Sequence, residues 1–435
     1  MSGFKELYLN LLEGVKMKQI NKISRNTRTI INSLEFKARA KKKETDFIRN
    51  RKLSFESLMT FSLKSLKTTT AAAARDFFED LGTDITITQQ SVSLAKLKVK
   101  PEAFREIFVE ATVKPLIRMN LSKWRGYRIF AIDGMKVALP VDQYQKLLEY
   151  FGGTGRGATS PTAQASVLYD VLNDIAIDGL IEPLSVDERT LASKHIEALI
   201  KLIPNEKKLI IFDRGYPSFE LLKQLEDAGI KYVMRVKTRF NNDVDAQTAE
   251  DAYVNLTNGD ESLSTRVIKI KLSSGETETL LTNLSSKAMT TEDFKRLYFL
   301  RWKIECHYNI LKNKLELENF TSRTVDGIKQ DFFIALYQVN LLAALKHDAQ
   351  TIVDKERNNK DNKYFYQVNN NEAIGIFKSH FVQSILGSVK KMQASLRKMV
   401  KSASREVVPV RPDRSNPRNP FPRRSKFHHN QKSTA

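Results

Sequence analysis

From about Ser54 to Glu110 the apolar residues recur at helical spacing. Ala71–Leu81 predicts one helix, stopped by Gly82. Thr88–Lys98 predicts a second, with Val92, Ala95 and Val99 on one face and Gln89, Ser93, Lys96 and Lys98 elsewhere. A helix, a glycine turn and a second helix carrying Gln, Ser and Lys is compatible with helix-turn-helix DNA binding, although any small helical domain gives the same pattern. From Tyr127 the pattern becomes strand-like. Tyr127–Ile132 predicts a strand ending at Asp133, and Lys136–Leu139 the next. Gln164–Leu172 and Ile175–Pro183 predict a hairpin around Asn173 and Asp174. A helix over Asp187–Leu202, a short buried strand Lys208–Phe212 ending at Asp213, a helix Pro217–Ala228 and a strand Lys231–Lys237 follow. This order predicts an α/β fold, a mixed sheet with helices packed on it.

The rhythm then breaks. Residues 238–290 are polar and offer Val267–Leu272 and Thr277–Thr282 as a hairpin, which predicts a β-rich insertion. A long helix is expected over Thr291–Leu315 and another over Val325–Val353. Glu356–Asn371 reads as an Asn- and Lys-rich linker, and a last helical segment runs to about Ser402. The longest apolar run, Phe332–Leu345, is interrupted by Gln338 and Asn340, so it predicts a core helix rather than a bilayer span. The expected divisions are a helical, basic region over 1–120, an α/β core over 121–237 and 291–345, the insertion over 238–290, a helical region over 346–402 and a tail over 403–435.

Charge adds a partner to this outline. The 435 residues are 41% hydrophobic and 28% charged, with a formal net charge of +21. Such an excess points to a polyanion, with nucleic acid foremost. It is concentrated at the ends. Lys16–Lys52 holds thirteen basic and three acidic residues, and Lys401–Ala435 nine and two. The second stretch also carries Pro409, Pro412, Pro417, Pro420 and Pro422, and is expected to be a disordered basic tail. Cys306 is the only cysteine, which excludes an intrachain disulfide. No apolar stretch follows a basic start, so no signal peptide is expected and a cytoplasmic location fits.

Candidate chemistry gathers at three places. Ile129-Phe130-Ala131-Ile132-Asp133-Gly134 and Ile210-Ile211-Phe212-Asp213-Arg214-Gly215 each end an apolar strand on an aspartate. Either alone is an ordinary turn or cap residue. Brought together on adjacent strands, two carboxylates repel and need a cation between them, and hard oxygen donors favour Mg2+ or Mn2+. In the long helix, Tyr298, Arg301, Glu305 and Lys312 fall within about 60° at roughly 100° per residue. That face suits phosphate beside a carboxylate; a solvated face with an Arg–Glu pair four residues apart accounts for it equally well. Gly152–Gly157 lacks the Gly-Lys-Ser/Thr ending of a phosphate loop and reads as a loop near the site, with Arg156 available to DNA. His195, His307 and His347 show no metal spacing, and no Ser-His-Asp arrangement is evident.

The chain resembles the DDE transposases of bacterial insertion sequences, the class with the signature Tyr-x2-Arg-x3-Glu-x6-Lys. Tyr298, Arg301, Glu305 and Lys312 match it in type and spacing, and Ile132-Asp133-Gly134 and Phe212-Asp213-Arg214-Gly215-Tyr216 resemble the two aspartate motifs. Met135 departs from the family, where a small hydroxyl residue often follows Asp-Gly. The resemblance implies a ribonuclease-H-like core in which Asp133, Asp213 and Glu305 bind two Mg2+ or Mn2+ ions and catalyse cleavage and strand transfer. It implies that Tyr298, Arg301, Lys312, Arg214 and Arg156 contact DNA. Trp302 is the aromatic best placed to support a flipped base, since residues 238–290 hold only Phe240 and Tyr253. It also implies double-stranded transposon-end and target DNA as partners, a homodimer in the active complex, and association with the bacterial nucleoid. A transposase-derived repressor and a nuclease that does not join strands are the alternatives.

Overall fold

A computed structural model describes residues 18–49, 51–64, 69–141, 145–271, 275–287, 289–320, 322–357 and 363–411. The chain forms two compact units. One comprises Met1–Leu116, Pro140–Asp142 and Asn313–Ala435, the other Ile117–Leu139 and Gln143–Lys312.

The first unit is helical: α1 (Lys18–Ile31), α2 (Leu34–Ala40), α3 (Phe55–Lys64), α4 (Thr70–Asp80), α5 (Gln89–Lys96) and α6 (Pro101–Ile107), continued by a π-turn over Phe108–Val113 into α7 (Lys114–Ile117). Its axis is α14 (Val325–Arg357), in which every residue from Phe332 to Leu342 is buried. The polar interruptions of that apolar run are fastenings, as buried polar groups must be. Gln338 Nε2 donates to Leu63 O at 2.8 Å, and Asn340 Nδ2 to Thr112 Oγ1 at 2.9 Å. Gln330 Nε2 donates to Val99 O at 2.7 Å. Asp348 accepts from the amides of Gln19 and Ile20, both at 3.0 Å, supplying the carboxylate that the free N–H groups at the start of α1 require. The helix pair read at 71–98 lies here as α4 and α5, with Gly82 at φ 73° and Thr88 capping α5 through Ser91 N.

Past α14 the unit departs from expectation. Within the expected linker, β10 (Phe365–Val368) pairs antiparallel with β11 (Val407–Val410), which lies inside the stretch expected to be a disordered tail. Val407, Val408 and Val410 are β-branched, and their partner strand lies some forty residues upstream, beyond the reach of local pattern. Between them run α15 (Asn370–Leu386) and α16 (Val389–Arg405). The rest of the expected tail, 412–435, lies outside the described residues, as do 1–17 of the basic N-terminal stretch. Among the described residues no helix is long and apolar enough to cross a membrane.

The second unit is built on one sheet. Its strands are β1 (Arg128–Ala138), β2 (Gly153–Thr154), β3 (Ser160–Asp170), β4 (Ile175–Pro183), β5 (Lys208–Phe212), β6 (Lys231–Val236), β7 (Asp251–Asn258), β8 (Glu261–Lys271) and β9 (Thr277–Thr282). The order is β2-β3-β1-β5-β6-β9-β8-β7, with β4 also paired to β3. β1 is antiparallel to β3 and parallel to β5, and β5 is parallel to β6. The β-rich segment does not form a sheet of its own: β9 pairs with β6 and extends the central sheet. Its strand β7 escapes the sequence reading because only Leu256 along it is buried, leaving almost no apolar pattern. Helices α8 (Lys146–Phe151), α9 (Glu188–Leu202), α10 (Phe219–Asp227), α11 (Asn242–Ala246), α12 (Thr291–Phe299) and α13 (Trp302–Asn309) complete the unit.

Two sequence expectations are corrected here. β1 is one strand rather than two, because its ladder with β3 runs unbroken from Phe130↔Asp170 to Ala138↔Thr162. The buried Arg128–Asp170 ion pair, 2.7 Å, locks the start of that register. The expected long helix is broken between α12 and α13, where Leu300 N and Arg301 N bond three residues back, to Leu297 O and Tyr298 O, instead of four. After α13 the backbone widens to a π-helix over Ile310–Lys314.

Candidate active site

Asp133 sits in the middle of β1 rather than at a strand end. Its exposure comes from its neighbour: β5 pairs with β1 only over Arg128–Ala131, so β1 projects past the end of β5. Continuing the register Ala131↔Ile211 by two residues brings Asp133 level with Asp213, the first residue after β5. Neighbouring strands lie about 4.8 Å apart, so the two carboxylates emerge side by side.

Arg301, at the tightened turn between α12 and α13, reaches two of the three carboxylates. Its Nη2 donates to Glu305 Oε1 at 2.8 Å and its Nη1 lies 4.0 Å from Asp213 Oδ2. Tyr298 Oη donates to the other Asp213 oxygen at 3.3 Å. Burial raises the Asp133 carboxyl to about 7, against the opposing pull of Arg301 and of the Gly134 amide, which donates to Oδ1 at 2.9 Å; Asp213 and Glu188 push it further up. Asp133, Asp213, Glu305 and Arg301 thus form one electrostatic cluster. Among the described residues, no three His, Cys, Asp or Glu side chains are gathered closely enough to hold a metal ion. The guanidinium of Arg301 supplies positive charge to the carboxylates in this arrangement.

The other residues marked in the sequence divide into two groups. Lys312 belongs with β1: its Nζ donates to Lys136 O at 2.5 Å. Trp302 is 44% exposed, next to Arg301. Arg214 and Arg156 are exposed and have no described contact with the carboxylates. Arg156 lies in the turn between β2 and β3, so the glycine-rich segment is a short hairpin rather than a free loop. Gly155 and Gly157, at φ 86° and 72°, make that turn.

Sequence reasoning missed several residues around Asp133. Glu188, at the first turn of α9, reaches so close to β1 that a Cβ on Gly134 would meet its Oε1 at 2.5 Å and Gln164 Nε2 at 2.7 Å. Gly215 also lies beside Glu188. The glycines that follow both aspartates therefore make room for a fourth carboxylate. Nothing in the local pattern of Asp187-Glu188 distinguishes it from an ordinary helix start. Tyr308 Oη donates to the Asp133 carbonyl. Tyr216 is buried, and burial together with Asp133, Glu188 and Asp213 raises its pKa. Tyr216 is visible in the second aspartate motif, which gives it no role.

A Ser-His-Asp arrangement does exist, contrary to the sequence reading. His195 Nδ1 lies 2.9 Å from Asp178 Oδ2, and its Nε2 lies 3.1 Å from Ser166 Oγ. It is buried, and Ser166 Oγ donates to the Asp133 carbonyl at 3.2 Å, so it braces β1 instead of presenting a nucleophile. It was invisible because the three residues come from β3, β4 and α9. His307, on α13 beside Glu305, is fully buried against the Tyr169 ring, 4.2 Å between centroids, and burial pushes its pKa down to about 3, so it is neutral.

Among known proteins, no curated protein matches the chain. A solved structure, "Cryo-EM structure of piggyBac transposase synaptic complex with hairpin DNA (SNHP)", aligns with a TM-score of 0.44 at 10% identity, covering 88% of this chain and 79% of that one, too loosely to bear on the assignment. Residues 124–341 match the family described as transposase DDE domain. That stretch spans half of the chain and includes Asp133, Asp213, Glu305 and the strands and helices that position them. The chain belongs to the transposase DDE domain family.

Proposed function

We propose that the chain binds the inverted repeats at transposon ends and catalyses metal-dependent DNA cleavage and strand transfer, with Asp133, Asp213 and Glu305 as its catalytic and metal-binding residues. The observation that carries this reading is the register of β1 and β5, which sets Asp133 level with Asp213, together with Arg301, which ties Asp213 to Glu305. The strand order β4-β3-β1-β5-β6, three antiparallel strands followed by two parallel to β1, supports a ribonuclease-H-like core.

The donor set fits a hard divalent ion in its chemistry. Asp133, Asp213, Glu305 and the neighbouring Glu188 offer only carboxylate oxygens, the donor type that hard divalent ions take. Two Mg2+ or Mn2+ ions held by Asp133, Asp213 and Glu305 would activate water or a 3′-hydroxyl and stabilise the leaving oxygen. The chain's own residues do the positioning. Arg301 holds Asp213 and Glu305 until a DNA phosphate offers its guanidinium a competing anion, and its planar fork suits that exchange. Tyr298 orients Asp213, and Tyr308, Ser166 and the Gly134 amide fix Asp133. Lys312, Trp302, Arg214 and Arg156 are the further DNA contacts of this reading, and a homodimer would bring two ends together. The Tyr-x2-Arg-x3-Glu-x6-Lys signature suits a bacterial insertion-sequence enzyme.

The test is a strand-transfer assay on end-containing duplexes with and without Mg2+. Joined products that require the ion are expected. Binding without cleavage would make the chain a repressor, and cleavage without joining a nuclease; either result overturns the reading.

A further inference from the structure

Helix α16 carries a second kind of site. Val389–Arg405 contains six basic residues, Lys390, Lys391, Arg397, Lys398, Lys401 and Arg405, and no acidic one. At roughly 100° and 1.5 Å per residue, all six fall within an arc of about 120° along some 22 Å of axis. Lys390, Lys391, Arg397, Lys398 and Arg405 are exposed, and none has a carboxylate within ion-pair distance among the described residues. The opposite face, Met392, Leu396, Met399, Val400 and Ala403, is buried where α16 packs on α14 and α15.

Two other exposed helices are arranged differently. Lys223 on α10 pairs with Asp227, and Lys295 on α12 with Glu292. On α16 the five exposed cations have no such carboxylate partner among the described residues, and like charges gathered on one helix face repel unless an external anion balances them. The buried apolar face cannot enter a bilayer, which removes the usual membrane role of a basic amphipathic helix. What remains is a rigid line of positive charge that matches the closely spaced phosphates of a duplex.

We propose that the outer face of α16 binds the sugar-phosphate backbone of duplex DNA without reading its sequence. This rests on the reading that the chain works on DNA, but concerns residues of the first unit, whereas the carboxylate cluster belongs to the second. Each phosphate neutralised by α16 releases condensed counterions, so the surface contributes to the salt dependence of affinity.

The experiment measures the affinity of the full chain for a short duplex of unrelated sequence across a salt series. Combining Lys390→Gln, Arg397→Gln, Lys398→Gln and Arg405→Gln is expected to make the slope shallower by about three to four. Lys223→Gln with Lys295→Gln should leave it unchanged, and Lys390→Arg with Lys398→Arg should preserve it. If the fourfold variant does not fold, the single variant Arg397→Gln should lower the slope by about one. An unchanged slope in a folded variant overturns the proposal, as does wild-type chain that binds phosphatidylserine vesicles and not the duplex. Asp213→Asn should keep the full slope, so a failure of the catalytic reading shows in cleavage alone.

Discussion

Arg301 holds two carboxylates at once, and that geometry makes opposite demands on its substitution by Lys and by Ala. A lysine keeps the charge but not the fork that spans Glu305 at 2.8 Å and Asp213 at 4.0 Å. Arg301→Lys is expected to lower end cleavage about 100-fold, the scale of losing one transition-state donor. Lys312→Arg, whose native amine donates to the Lys136 carbonyl, should stay within about tenfold. Melting temperatures near that of the wild type would accompany both. If Arg301→Ala instead loses stability and cleavage in proportion, Arg301 is only a structural ion pair. Gly134 makes a second residue-scale test. A methyl there meets Glu188 and Gln164, so Gly134→Ala should destabilise by about 1–3 kcal/mol, the range for overpacking. Adding Glu188→Ala should recover part of that loss, and strictly additive losses in the double-mutant cycle would refute the close approach. The proximity of Asp133 to Asp213 was legible in the sequence because each ends an apolar run that reads as a strand, and Glu305 stood out through its helical spacing from Tyr298, Arg301 and Lys312. Glu188 was not legible, because its proximity depends on a helix start meeting a strand fifty-odd positions earlier in the chain.

At the scale of elements, sequence reading errs where strand pairing or a change in helical hydrogen bonding supplies what local pattern lacks. Asp133-Gly134 reads as a strand end, yet β3 carries the ladder through it. Hydrogen bonding tightens at Leu300–Arg301 and widens after Ile310, changes that a uniform helical period does not show. Strands β7, β10 and β11 are short of buried apolar residues and depend on partners. The hairpin β7–β8 offers a pH test. Buried Arg266 grips Asp251 through both carboxylate oxygens, at 2.7 and 2.5 Å, and this hydrogen bonding holds the Asp251 carboxyl below its ordinary 3.8. A depressed carboxyl stabilises the fold fully above 3.8, and that contribution is lost as pH falls through the lowered value. Amide protection in β7 and β8 should therefore fall in acid. Asp251→Asn should show reduced protection already at neutral pH and no further step on acidification. A step of wild-type size in the variant would assign the acid sensitivity to another group.

For the whole molecule, the proposed function makes separate use of the net charge of +21 and of the cluster of carboxylates. On that proposal cationic surfaces set affinity for DNA, and the carboxylates set chemistry. Composition made the charge excess legible, and the three motifs the carboxylates. What composition did not show is that α16 joins the basic surfaces, since its charges are interleaved with buried Met and Leu. Because the two uses fall on different residues, removing one carboxylate charge should leave binding intact. The most direct test is the rate of end cleavage in Mg2+ by Asp213→Asn, compared with wild type at matched occupancy of the same transposon-end duplex. The account predicts normal affinity with cleavage reduced by at least about 1,000-fold, as expected when an ion that activates the nucleophile is lost. Cleavage within tenfold of wild type, or loss of binding equal to the loss of cleavage, would contradict it.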